Sequence, residues 1–148
     1  MFAHRTAFVL LALATAAPAG AGDQDATTKV TGTVLVPKGA ASFDNRVVEL
    51  RLYGINKRLA DKKAELIDKI ELKGVSHETG TETKKAFTLG AKGTLDANNR
   101  YYVTAFVLKG EERTHLGQAD HVKEPFNRVL TDGNPREVTI RFKELGKK

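Results

Sequence analysis

The side chains of this 148-residue chain that could carry chemistry are few and scattered. His115 and His121 stand six positions apart with Asp120 and Glu124 close by, and imidazole with carboxylate suits zinc or copper. On an extended strand, residues six apart lie about 20 Å from each other, beyond a shared coordination sphere unless the chain folds back between them. The expected reading is two exposed histidines, with His77 equally exposed in a polar loop. Ser42 and Ser76 are the only serines, and neither sits in a G-x-S-x-G elbow. Ser76 adjoins His77, but adjacency in sequence supplies no base geometry. Gly90-x-x-Gly93 lacks the Lys-Ser/Thr of a phosphate-cradling loop and reads as a hairpin connection. An enzyme is therefore not expected, and no cofactor is implied.

Two further sets of residues could bind rather than react. Lys57-Arg58, Lys62-Lys63, Lys84-Lys85 and Lys147-Lys148 could meet anionic headgroups, polysaccharide or an acidic partner. Asp61 and Glu65 interleave with them, which favours an ordinary solvated surface. Tyr53, Tyr101, Tyr102 and Phe106 could form a flat ligand platform. Tyr101 and Phe106 have opposite strand parity, so at least one belongs to the core, and core packing with hydroxyls reaching the surface is the expected outcome.

The elements that must position these residues follow from composition and periodicity. His4 and Arg5, the apolar run Thr6 to Ala16 and the small residues Ala17 to Ala21 form the pattern of a secretory signal peptide over residues 1–21, cut after Ala21 or Ala19. The apolar run falls short of the roughly 20 residues that span a bilayer, and no integral membrane segment is expected after cleavage. Of 24 Lys and Arg, removal of Arg5 leaves 23 against 18 Asp and Glu, a net charge of +5. Export makes nucleic acid an unexpected partner. The chain has no cysteine, which excludes disulfides, thiolate metal sites and cysteine nucleophiles. Nothing in the residue pattern specifies an oligomeric state.

Residues 22–28 read as a flexible lead-in and 29–145 as one domain. The domain is organised around Asn99 to Gly110, aromatic and β-branched, with Tyr101, Val103, Ala105 and Val107 on one face and Tyr102, Thr104, Phe106 and Leu108 on the other. Both faces are apolar, which predicts a central strand buried on both sides. Lys29 to Val36 alternates ahead of it, with Gly32 marking a bulge or a close backbone approach. Arg46 to Tyr53 presents Val48, Leu50 and Leu52 to one side and the charged pair Glu49 and Arg51 to solvent. Leu66 to Lys73 fits a strand better than a helical stripe, and Gly74 to Thr83 reads as an exposed loop. Lys84 to Leu89 is short. Thr114 to Val122 is a polar strand, Phe126, Val129 and Leu130 form a small apolar patch, and Glu137 to Lys143 turns Val138, Ile140 and Phe142 inward. Seven or eight short strands with at most one helical turn predict an all-β, antiparallel sandwich of transthyretin-like or immunoglobulin-like topology.

Several of these segments carry a resemblance. Phe87-x-Leu89, Leu95-Asp96-x-Asn98 leading into Tyr101-x-Val103-x-Ala105, Val129-Leu130-Thr131-x-Gly133 and Pro135-x-Glu137-Val138-x-Ile140 resemble the YbaY/YscW family of small bacterial envelope lipoproteins. Val30-x-Gly32-x-Val34 and Val48-x-Leu50-x-Leu52 stand where that family has its first two strands. The resemblance implies a small β-sandwich facing the periplasm, and its secretion-associated members act as pilotins that help an outer-membrane secretin ring to localise and assemble. Members are typically anchored through a lipobox cysteine, which this sequence lacks.

The expectation is thus a non-enzymatic, exported domain, periplasmic or extracellular, that binds or scaffolds a protein partner in the cell envelope. A sheet edge formed by Thr114, Leu116, Gln118, Asp120 and Val122 would accept an extended segment of that partner. The alternative is a periplasmic carrier of a small ligand, or of a metal held by His115 and His121.

Overall fold

The computed structural model describes residues 25–59, 61–124 and 126–146. The leader expected over residues 1–21 lies outside the described residues, as does the basic pair Lys147-Lys148. Among those described there is no helix, and the chain forms eight strands: β1 (Val30–Val36), β2 (Phe43–Asn56), β3 (Glu65–His77), β4 (Thr83–Leu89), β5 (Asn99–Lys109), β6 (Glu112–Ala119), β7 (Asn127–Val129) and β8 (Glu137–Glu144).

Alternating apolar residues drive this arrangement because period two sends one set of side chains to a single face. Val30, Val34, Val48, Leu50, Leu52, Val103, Ala105, Val107, Ile140 and Phe142 meet there and are at most 2% exposed. They form one core under one sheet. The strands run in the order β3-β2-β5-β6-β8-β1-β4, with β7 paired to the start of β5 beside β6. The all-β class holds, but an antiparallel two-sheet sandwich is not what forms. β1 pairs with β8 in parallel, from Thr31 opposite Glu137 to Leu35 opposite Arg141. That pairing ties the beginning of the domain to its end and curls one mixed sheet almost into a barrel.

The two ends of the sheet, β3 and β4, are consecutive in sequence and approach without forming a ladder. At one end of this seam Asp68 Oδ2 accepts the Gly90 N–H at 2.7 Å. At the other, His77 Nδ1 lies 2.8 Å from Thr83 Oγ1. Asp68 sits opposite the buried Leu52, so the β3 edge carries a charge on its core-facing side, while Lys84 and Lys85 leave exposed charges on the β4 edge. Edge charges of both kinds discourage pairing with another strand.

Two strands are longer than expected. β2 has 14 residues and β3 has 13. Register shifts near Phe43, Arg46 and Leu52 let the pair bend around the core instead of running off as a flat ribbon. β3 passes through Gly74, at φ +67°, and continues to His77, where a loop is expected from composition. Val75 and His77 are 2% and 4% exposed, so the polar residues around them hide an inward-facing pair. Gly32 is a close approach with continuous register, because a Cβ there would strike the Val138 carbonyl. The lead-in is anchored from residue 25 onward, where Arg136 donates to Asp25 O. Leu95 N–H donates to Ala26 O at 2.7 Å and Thr28 N–H to Gly93 O at 3.0 Å.

Candidate functional site

β6 is not an edge. Its backbone pairs with β5 through Phe106 opposite Leu116 and with β8 through Leu116 opposite Lys143 and Gln118 opposite Arg141. Both sides of the strand are occupied, so Thr114, Leu116, Gln118, Asp120 and Val122 cannot receive an added strand. Thr114 Oγ1 instead donates to Val107 O at 3.1 Å and accepts from Arg46 at 3.0 Å. Gln118 donates to Val122 O at 2.9 Å, and Asp120 lies beyond the strand end, 3.3 Å from Arg141 Nε. Val122 is half-buried against the core. The polar look of this strand comes from its outward residues and says nothing about its neighbours.

The expected histidine pair is not brought together either. His121 is exposed, its Nε2 2.9 Å from Arg128 O, whereas His115 is only 4% exposed. Among the described residues no group of three or more His, Cys, Asp or Glu could hold a metal. His115 and His77, both expected in solvent, flank the buried ring of Phe43 with centroids 5.4 Å and 5.7 Å away. Since the Thr114 hydroxyl donates to Val107 O, the network assigns the ring proton to His115 Nδ1, 2.9 Å from Thr114 Oγ1. Nε2 is left buried without a partner. Burial, then the charge of Arg46, holds the His115 pKa below the ordinary histidine value, with Glu144 opposing.

What the fold does assemble is a ridge on the outer face of the sheet. Tyr53 of β2 lies opposite Tyr102 of β5, and their rings stack at 5.2 Å. Leu66 of β3 extends the row on one side. Phe126 extends it on the other, edge-on to Tyr102 at 5.1 Å. Leu66 and Phe126 are 47% and 52% exposed, among the most exposed large apolar side chains of the molecule. A groove of about 280 Å³ opens beside the ridge, bounded by Ile55, Tyr102, Phe126, the arginines Arg100 and Arg128 and the carboxylates Glu124 and Asp132. Its volume is comparable to the low end of small-ligand sites or to one or two bulky side chains of a partner.

Tyr101 points the other way, is 2% exposed, and accepts the Asp96 N–H on its hydroxyl at 2.9 Å. Core packing, the expected outcome for this set, holds for Tyr101 alone, and its hydroxyl is bonded to the Asp96 amide; Tyr53 and Tyr102 are instead a half-buried pair on the outer face. Phe126 joins them only because β7 folds back onto β5, a pairing with no local signal in the sequence.

A charged cluster borders the ridge. Glu49, expected in solvent, is 5% exposed, with Arg51 Nε 2.9 Å and Lys69 Nζ 3.2 Å from its oxygens. Burial pushes its carboxyl up, but hydrogen bonds from Arg51 and Lys69 outweigh that and hold it below the usual value. Lys69 reaches Glu71 as well, at 3.0 Å, and Arg51 donates to the Tyr53 hydroxyl at 3.3 Å. The cluster fixes one end of the ridge and offers no nucleophile or open coordination site.

No family model matches the chain and no curated protein is found to be similar to it. Among solved structures, the chain is similar to an alternative pilotin from the type II secretion system of Vibrio cholerae, with a TM-score of 0.59 and 23% sequence identity over 82% of this chain and 99% of that one. The likeness spans that neighbour almost end to end, and it is a likeness of fold.

Proposed function

We propose that this protein is a non-enzymatic, exported domain of the bacterial cell envelope that binds a protein partner through the outer aromatic ridge. The observation that carries the reading is the row Leu66, Tyr53, Tyr102 and Phe126 with its adjoining groove, because exposed aromatic side chains beside a preformed concavity are what protein anchors dock into. The pilotin-like fold and the YbaY/YscW-like sequence pattern support an envelope assembly factor, with a secretin as the partner class. Binding through a sheet face differs from strand addition, because the contact is made by the side chains of the ridge and not by an unpaired backbone.

The test is recovery of envelope proteins by the tagged chain and by Phe126→Asp. Enrichment of an outer-membrane assembly protein by the parent and at least a tenfold loss with Phe126→Asp, at unchanged thermal stability, is expected. Equal recovery by both removes the ridge from the reading. A second reading, a carrier of a small apolar ligand, is favoured by the groove alone. A thermal shift with aromatic or aliphatic ligands that Phe126→Asp abolishes, without any protein capture, would favour it.

A further inference from the structure

The loop joining β2 to β3 has a different character from the ridge. It presents Lys57, Arg58 and Leu59, then Asp61, Lys62 and Lys63, all exposed, with Leu59 at 43%. Part of its backbone is bonded from within: Arg58 N–H donates to Asn56 Oδ1 at 2.9 Å, Leu59 N–H to Asn56 O at 3.3 Å and Lys62 N–H to Leu59 O at 3.0 Å. Lys57 pins the base of the loop to Asp132 at 2.6 Å and to Ala97 O at 2.9 Å. Among the described residues, no carboxylate lies within ion-pair distance of Arg58, Lys62 or Lys63.

We infer that this loop is a membrane-contact tip that seats on an anionic phospholipid surface, with Leu59 entering the interface and Arg58, Lys62 and Lys63 meeting the headgroups. Charge complementarity selects the occupant. Basic side chains near an anionic leaflet each add an increment of attraction that fades within roughly 10 Å at 0.1 M salt, and an apolar residue among them adds burial. An apolar side chain set among cations selects a bilayer over an acidic protein: Leu59 is exposed, with Arg58 before it and Lys62 and Lys63 after it. The bonded amides of Arg58, Leu59 and Lys62 are not stranded when the loop approaches the interface. Leu66 leaves the loop onto the outer face opposite Tyr53, so a seated loop would hold the start of the ridge near the headgroups. The inference does not rest on the partner reading above, since the two surfaces use different residues.

The chain contains no tryptophan, so Leu59→Trp introduces a single reporter. The exported chain is mixed with vesicles of phosphatidylcholine alone or with phosphatidylglycerol. A blue-shifted emission quenched by brominated acyl chains, only with phosphatidylglycerol and reversed by raised salt, is expected. Combining Arg58→Glu, Lys62→Glu and Lys63→Glu should lower sedimentation with these vesicles by about tenfold or more, with an unchanged circular dichroism spectrum. Vesicle binding without a shift in the reporter's emission, equal binding by the charge-reversed chain, or no vesicle binding at all overturns the inference. Binding to polyglutamate without binding to vesicles also overturns it and makes the occupant an acidic protein.

Discussion

The two faces of β5 are built from nearly the same kinds of residue and do opposite work. Tyr101, Val103, Ala105 and Val107 are at most 2% exposed and hold the core, while Tyr102, Thr104, Phe106 and Leu108 are only half-buried. The inner face is covered because the sheet curls around it. Among the described residues the outer face has no second sheet, and neighbouring side chains shield it: Phe126 over Tyr102, and the Arg113 guanidinium 4.0 Å above the Phe106 ring. Apolar content therefore separates core from surface less well than curvature does. A residue's role here depends on which way the sheet bends past it.

That contrast can be broken most forcefully from the inside. Val103→Asp places a carboxylate where nothing solvates it, and should cost more than about 5 kcal/mol, enough to abolish folding by circular dichroism. A folded Val103→Asp chain would mean the two faces are equivalent after all. Asn127→Ala is the next largest. Asn127 is fully buried where β5 and β6 splay, accepting Ala119 N–H at 2.6 Å and donating to Val103 O at 3.0 Å and Gly117 O at 3.1 Å. Leaving these groups unmet should cost about 3 kcal/mol in urea unfolding.

On the outer face the same measurements should move less. Glu49→Gln leaves Arg51 and Lys69 facing a neutral amide and should cost about 1–2 kcal/mol. Because the Glu49 pKa lies below its unfolded value near 4.5, its stabilisation is present above that pH and is lost as pH falls through the folded value. Glu49→Gln should therefore flatten stability in the acid range. Tyr102→Ser should cost no more than about 1 kcal/mol, since the ring is half-exposed and its stacking supplies most of what is lost. A cost matching an interior truncation would show that the ridge is structural.

The smallest effect is a matter of pH at the Phe43 cluster. The folded-state pKa of His115 is depressed below 6.5, so the unfolded chain binds the proton more readily. Stability is full above about 6.5 and should decline as pH falls toward the folded value. The melting temperature of His115→Gln should lose that component while keeping the decline due to Glu49.

Much of the strand inventory is legible in local patterning. Val30 to Val36 and Glu137 to Phe142 alternate cleanly, and both are strands with the expected residues inward. The tail of β3 is not, because Gly74 and Ser76 are ordinary loop residues and only the parity of Val75 and His77 betrays the strand. The site is less legible still. Thr114 to Val122 looks like an edge because its outward residues are polar, yet edge status belongs to pairing partners and not to composition. The real edges, β3 and β4, are marked only by the inward charge Asp68 and the exposed lysines Lys84 and Lys85. Tyr53 and Tyr102 are visible as aromatics, but their stacking depends on the register that sets them opposite each other.

By itself the sequence determined where most strands lie and which of their side chains share a face, because both follow from local backbone geometry at period two. The tertiary structure alone decided that β1 runs parallel to β8, that β6 is interior, that His115 is buried and that Phe126 completes a ridge. Each of those rests on contact between residues far apart in the chain, which the curl of the sheet selects and no local pattern encodes.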